Sequence, residues 1–146
     1  MNLNSSSADP SNYRIINDSF VFAGAGVYLH FVNPYPRCFF NSIMTTLTCD
    51  ANVANRYIIL TLHVAGLFPF RFVDPVPLVA NESRQICAFP SSLYLHPIVA
   101  GTVVSLPLPP DVELSIGDEL IIDLINFQVG DDFTPTYYQL KTYDTL

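Results

Sequence analysis

Residues 117 to 133, GDELIIDLINFQVGDDF, set seven apolar residues between four aspartates and one glutamate. Grouped carboxylates are hard oxygen ligands for calcium, and paired ones serve as general acid and base. Their positions favour a different role. Asp118 follows Gly117 just before an apolar run, and Asp131 and Asp132 follow Gly130 just after it. Gly-Asp pairs in such places make turns, because the aspartate side chain bonds its own backbone. Calcium bound by Asp131, Asp132 and a backbone carbonyl is the alternative, although GDDFTP lacks the alternating acids and closing glutamate of an EF-hand. Asp123 lies inside the apolar run, where a charge requires a partner; one of the arginines is the expected one.

The other reactive residue types are dispersed. His30, His63 and His96 each stand in or beside an apolar run, without HxH, HExxH or a Cys/His cluster, and read as core or strand-face histidines. GxSxG is absent, and the GAG of residues 24 to 26 opens no GxGxxG fingerprint, so it reads as a β-turn. Cys38, Cys49 and Cys87 are odd in number and lack CxxC spacing, which predicts reduced, mostly buried thiols. Asn4, Asn17 and Asn81 begin Asn-x-Ser/Thr triplets that matter only in a secretory route, and the N-terminus has neither a basic nor an apolar signal region. The expectation is a protein made in the cytoplasm, without cofactor, metal or catalytic site.

The elements that position these residues read as β throughout. From about residue 14, short runs rich in β-branched and aromatic residues alternate with Pro, Gly, Asn and Asp, and twelve prolines leave no window for a long helix. Strands are expected at 19–23, 26–32, 37–49, 56–64, 68–73, 84–89, 102–108, 119–129 and 136–143. The fold class is all-β, an antiparallel β-sandwich with jelly-roll character, formed by one domain over residues 14–146 behind a flexible or partner-bound arm of residues 1–13. In RYIILTLHV, the positions Ile58, Leu60, Leu62 and Val64 form an apolar face opposite a mixed one. In ELIIDLINFQV both faces are dry: Leu120, Ile122 and Leu124 on one side, Ile121, Ile125, Phe127 and Val129 on the other, with Asp123 among the second set. A dry second face implies a covering layer, a loop or a neighbouring subunit. Phe68, Phe70 and Phe72 form an aromatic stripe that reads either as sandwich core or as an interface anchor. The interface candidates are therefore Phe68, Phe70, Phe72, Ile121, Asp123, Ile125 and Phe127.

Composition points the same way. Only 13% of residues are charged while half are apolar, and a chain so poor in charge covers itself by assembling. The longest apolar stretch, YIILTLHVAGLFPF, is shorter than a spanning helix and broken by His63 and Gly66, so no membrane segment is expected. A net charge of −7, with Lys141 the single lysine, argues against nucleic acid and anionic lipid as partners.

Two segments resemble small virion structural proteins of tailed bacteriophages, of the capsid decoration or cement type. They are TLTCDANVANRYIILTLHVAG, residues 46 to 66, and LPPDVELSIGDELIIDLINFQVGDDF, residues 108 to 133. The order of an early GVYLHF strand and a late LSIGD turn is also similar to trimeric jelly rolls of the complement and tumour-necrosis-factor type. The matching pieces cover roughly a third of the chain, and residues 67 to 101 match neither. The resemblance implies a jelly-roll sandwich that forms a homo-oligomer, most often a trimer, and binds the major capsid protein or another virion protein in the particle. A tail adaptor, baseplate or fibre component is the structural alternative. A carbohydrate-binding module is another, with Tyr137, Tyr138 and Tyr143 beside Asp131 and Asp132. Within ANR, Ala54 and Asn55 suit a tight reversal, and Arg56 is placed to bond turn carbonyls or to cross to an acid.

Overall fold

A computed structural model describes residues 13–20, 29–90, 93–94 and 103–143. The expected N-terminal arm, the GAG turn and His96 lie outside the described residues. Ten strands form: β1 (Arg14–Phe20), β2 (Leu29–Val32), β3 (Arg37–Thr48), β4 (Tyr57–Val64), β5 (Leu67–Val73), β6 (Ser83–Pro90), β7 (Val104–Leu108), β8 (Leu114–Ser115), β9 (Glu119–Ile125) and β10 (Asp132–Tyr143). The described residues contain no helix, and hence none that could cross a membrane.

The strands make two sheets, β1-β10-β3-β6-β7, with β8 also paired to β3, and β2-β9-β4-β5. The pairs β4·β5, β3·β6, β2·β9 and β1·β10 are nested around the β4–β5 turn, as in one long antiparallel ribbon. Rolling that ribbon creates the pairs β3·β10 and β4·β9 and divides it between two sheets. This is the jelly-roll order. One pair departs from the antiparallel expectation: β7 runs parallel to β6, from Ile86 opposite Val104 to Pro90 opposite Leu108. The connection from 91 to 103 has the dozen or so residues that a crossover to a parallel neighbour requires.

Alternation builds the core. Ile58, Leu60 and Leu62 of β4 face Leu47, Ile86, Leu106 and Leu140 from the larger sheet, and Leu120, Ile122 and Leu124 extend the layer; all are buried. Burial of these apolar side chains is the main stabilising term, about 25 cal/mol per Å² removed from water. In β3 the inward set passes from Cys38 and Phe40 to Ile43, Thr45 and Leu47, because the register slips between Gln139 and Leu140. Asn41 is the extra residue, and its amide donates to Gln139 Oε1 at 3.0 Å.

The two-residue β8 is not among the expected strands, and three boundaries differ from expectation by four residues or more. β1 begins at Arg14 rather than residue 19: it is an edge strand, mostly exposed, so Asn17 and Asp18 hide its period. β9 stops at Ile125, because Asn126 takes φ +60°. β10 starts at Asp132, earlier than residue 136.

Candidate interaction surface

Two acids of the opening stretch, Asp118 and Asp131, serve the turns. Asp118, almost buried, accepts the N–H of Ser115 at 2.8 Å and of Ala65 at 3.0 Å. Asp131, buried, accepts the N–H of Gln128 at 2.8 Å through one oxygen and of Asp50 at 2.9 Å through the other.

Asp131 also meets Arg56, which is fully buried. The Arg56 Nε donates to Asp131 Oδ2 at 3.0 Å and Nη2 to Oδ1 at 3.1 Å, while Nη2 also donates to Asp50 Oδ1. Nη1 donates to the carbonyls of Asn52 and Ala54, each at 2.9 Å. Every N–H of the guanidinium thus has an acceptor, the condition for burying that charge. The Asp131 bond, opposed by burial, holds the Arg56 pKa above its usual range. Burial would raise the Asp50 carboxyl, but the N–H groups of Asn52 and Gly130, the Asn52 amide and Arg56 bring it below its usual value.

A second arginine repeats the device. Arg84, at the inward end of β6, donates to Asp74 at 3.3 Å, to the carbonyls of Val76 and Pro77, and to Glu82 at 2.8 Å. Tyr94 donates to the same Asp74 at 2.7 Å, and burial followed by that carboxylate pushes its pKa up. Backbone bonds join the two centres: Arg56 and Leu78 exchange both of theirs, Asn81 N–H donates to Asp50, and Cys49 N–H donates to Glu82. The Asn126 amide donates to the carbonyl of Asn55. The loops 49–56, 74–82 and 126–131 are therefore tied together at one end of the sandwich. Each presents a valine to solvent: Val53 is 98% exposed, Val79 52% and Val129 81%.

That end continues onto the outer face of the smaller sheet. Ile121, Asp123 and Ile125 all point outward from β9, and Ile125, with Val73 on β5, is exposed nearest the tied loops. Ile59 and Thr61 also point outward but are only 7% and 9% exposed. With Arg71, Ile121 and Asp123 they line a hollow of about 290 Å³. The arginine expected for Asp123 is not at ion-pair distance among the described residues; one carboxylate oxygen instead accepts the N–H of Leu124 at 2.7 Å. At the far end of this face His30 on β2 and His63 on β4 both reach Glu119 on β9, the latter with Nδ1 at 3.2 Å from Oε1. The His30 bond, opposed by burial and assisted by His63, holds the Glu119 carboxyl below its usual value.

Phe70 and Phe72 turn inward and pack against the core, Phe72 with its ring 5.2 Å from that of Tyr94; the Phe68 side chain lies outside the described residues. Phe127 is half-buried against the core from the β9–β10 turn. Tyr138 also faces inward, against Phe31 and Phe40, and burial pushes its pKa up to about 12. With Asp131 buried in its ion pair, the tyrosines and acids of the carbohydrate reading do not form one exposed site. The pairing of Arg84 with Asp74 and the meeting of two histidines on Glu119 have no signal in local spacing. Sheet register alone assembles the latter: His63 stands opposite Glu119, and His30 stands opposite Ile121, two residues along the same face of β9.

No family model, curated protein or solved structure matches the chain.

Proposed function

We propose that this chain is a structural virion protein, a capsid decoration or cement protein that binds the assembled phage head and acts by binding rather than catalysis. The observation that carries this reading is the loop end, where two buried arginines fix three loops that each display an exposed valine. Apolar groups held on a rigid support bind with little ordering cost, which favours a permanent contact with another protein. Asp50, Asp74, Glu82, Asp131 and Asp132 against Arg56 and Arg84 leave this end acidic, so the complementary surface on the partner is an apolar recess with a basic rim. A protein that binds only the assembled lattice stabilises it by about 2.7 kcal/mol at a hundredfold excess over Kd.

Heads prepared without this protein provide the test. Adding the purified chain should raise the temperature at which they rupture, and the double variant Val53→Asp/Val129→Asp should bind neither heads nor raise that temperature. Heads equally robust with and without the protein would refute the cement reading, and binding to isolated tails instead would move it to the tail adaptor. Retention on a glycan array would favour the carbohydrate module.

A further inference from the structure

We infer that the outer face of the larger sheet, across β1, β10, β3, β6 and β7, binds a second copy of this chain with two-fold symmetry. The inference rests on the reading of the chain as an assembling structural protein and names the surface it uses. Ile15, Met44, Phe89 and Tyr137 point outward on this face and are exposed, among uncharged neighbours such as Ser42 and Gln139. Chains of net charge −7 repel one another unless they meet where charge is absent. Among the described residues, Asp18 is exposed on the edge strand β1 beside Tyr138, at the rim of this face, and the other acids belong to the loop end, to the 111–119 segment or to the outer face of the smaller sheet. The middle of the larger sheet is thus the neutral face of an acidic molecule.

Its two margins carry opposite charges. Lys141 points outward at one end of β10, between buried Leu140 and Thr142. Its ammonium lies 4.3 Å from the Tyr13 ring centre and 5.7 Å from that of Tyr143, and no carboxylate among the described residues pairs with it. Asp132 lies at the other end of β10, on the face opposite buried Phe133, beside exposed Thr48. A two-fold axis across the strands lays Lys141 of one copy over the Asp132 margin of the other, twice, as a self-complementary contact requires. Five strands about 4.8 Å apart and about 24 Å long present roughly 600 Å² per copy, so two copies bury roughly 1,200 Å², enough for a specific interface. A hollow of about 440 Å³ between Asp18, Ser19, Ser42, Met44, Tyr137 and Gln139, with its one acid at the β1 edge, provides a socket for the opposing Met44 and Tyr137.

Sedimentation equilibrium of the full chain across a concentration series tests this. The wild type should have the mass of a dimer. Met44→Asp/Tyr137→Asp, at exposed positions, should be monomeric, folded by circular dichroism, and without the rise of melting temperature with concentration that the wild-type dimer shows. Lys141→Glu should weaken the dimer by about tenfold or more, and Lys141→Glu/Asp132→Lys should restore it, a rescue that a local structural role would not produce. A wild-type monomer, a trimer, or a dimer indifferent to these changes would overturn the inference. Head protection is scored separately: a monomer that still protects heads defeats this inference alone, whereas a dimer that protects nothing defeats the proposed function alone.

Discussion

Arg56 exchanges its hydration for five fixed acceptors, so its value lies in the completeness of the set rather than in any single bond. Removing it leaves Asp131 buried and unpaired. Arg56→Met should therefore cost about 3–5 kcal/mol in urea unfolding, as breaking buried ion pairs does. Arg56→Lys should recover little, because an ammonium has three donors and no planar fork. A loss below about 1 kcal/mol for Arg56→Met would show that the charges are effectively solvated. The acid branch of stability follows from Asp50 and Glu119, whose folded pKa values lie below the ordinary 3.8 and 4.5. The folded state then binds fewer protons than the unfolded chain. The stabilisation is complete above the ordinary values and is lost as pH falls through the folded ones. Unfolding free energy should decline below about pH 4.5, and Glu119→Gln should make that decline shallower. An identical decline in the variant would mean that His30 and His63 do not stabilise the carboxylate.

At the scale of elements, the β4–β5 hairpin turns through Ala65 and Gly66, both at positive φ, +52° and +77°. Two such residues between paired Val64 and Leu67 define the type I′ turn, which favours Asn-Gly, whereas alanine is strained there. Ala65→Asn should stabilise the protein by about 0.5–1 kcal/mol in thermal or urea melts. Gly130 is constrained differently: a Cβ there would sit 2.7 Å from Asp50 Cβ, so Gly130→Ala should force the tied loops apart and cost about 1–3 kcal/mol. Much of this level is legible in the sequence, since strict alternation identifies the inward set Ile58, Leu60 and Leu62 before any contact is known. The Gly-Asp turns and the Arg56 contacts are legible for a related reason, because their chemistry lies within a few residues or at the end of a strand. The slip at Asn41 and the parallel entry of β7 are not, because both are settled by pairing with distant strands. The phenylalanine stripe is ambiguous in principle: period two places Phe70 and Phe72 on one face without saying which face is wet.

For the whole molecule, the three cysteines report how cooperatively the sandwich opens. Cys38 and Cys49 point into the core, and burial pushes their pKa values up to about 12 and about 11. At pH 8 only about one Cys38 thiol in ten thousand would be a thiolate even with free access, so labelling there requires opening as well as ionisation. Cys87 is half-buried on the neutral outer face, its pKa raised by burial and relieved by Ser105. A small thiol reagent should modify Cys87 in the native protein and all three cysteines in urea. If the two sheets separate only in global unfolding, Cys38 and Cys49 should label at one common rate after correction for reactivity, and Arg56→Met should raise that rate by the factor its lost stability dictates. Labelling of Cys49 alone would mean that the tied loop end opens as its own unit, leaving the rest of the sandwich closed. Cys87 carries the complementary information: a second copy on the larger sheet should slow its labelling as protein concentration rises, while the two core thiols respond to stability.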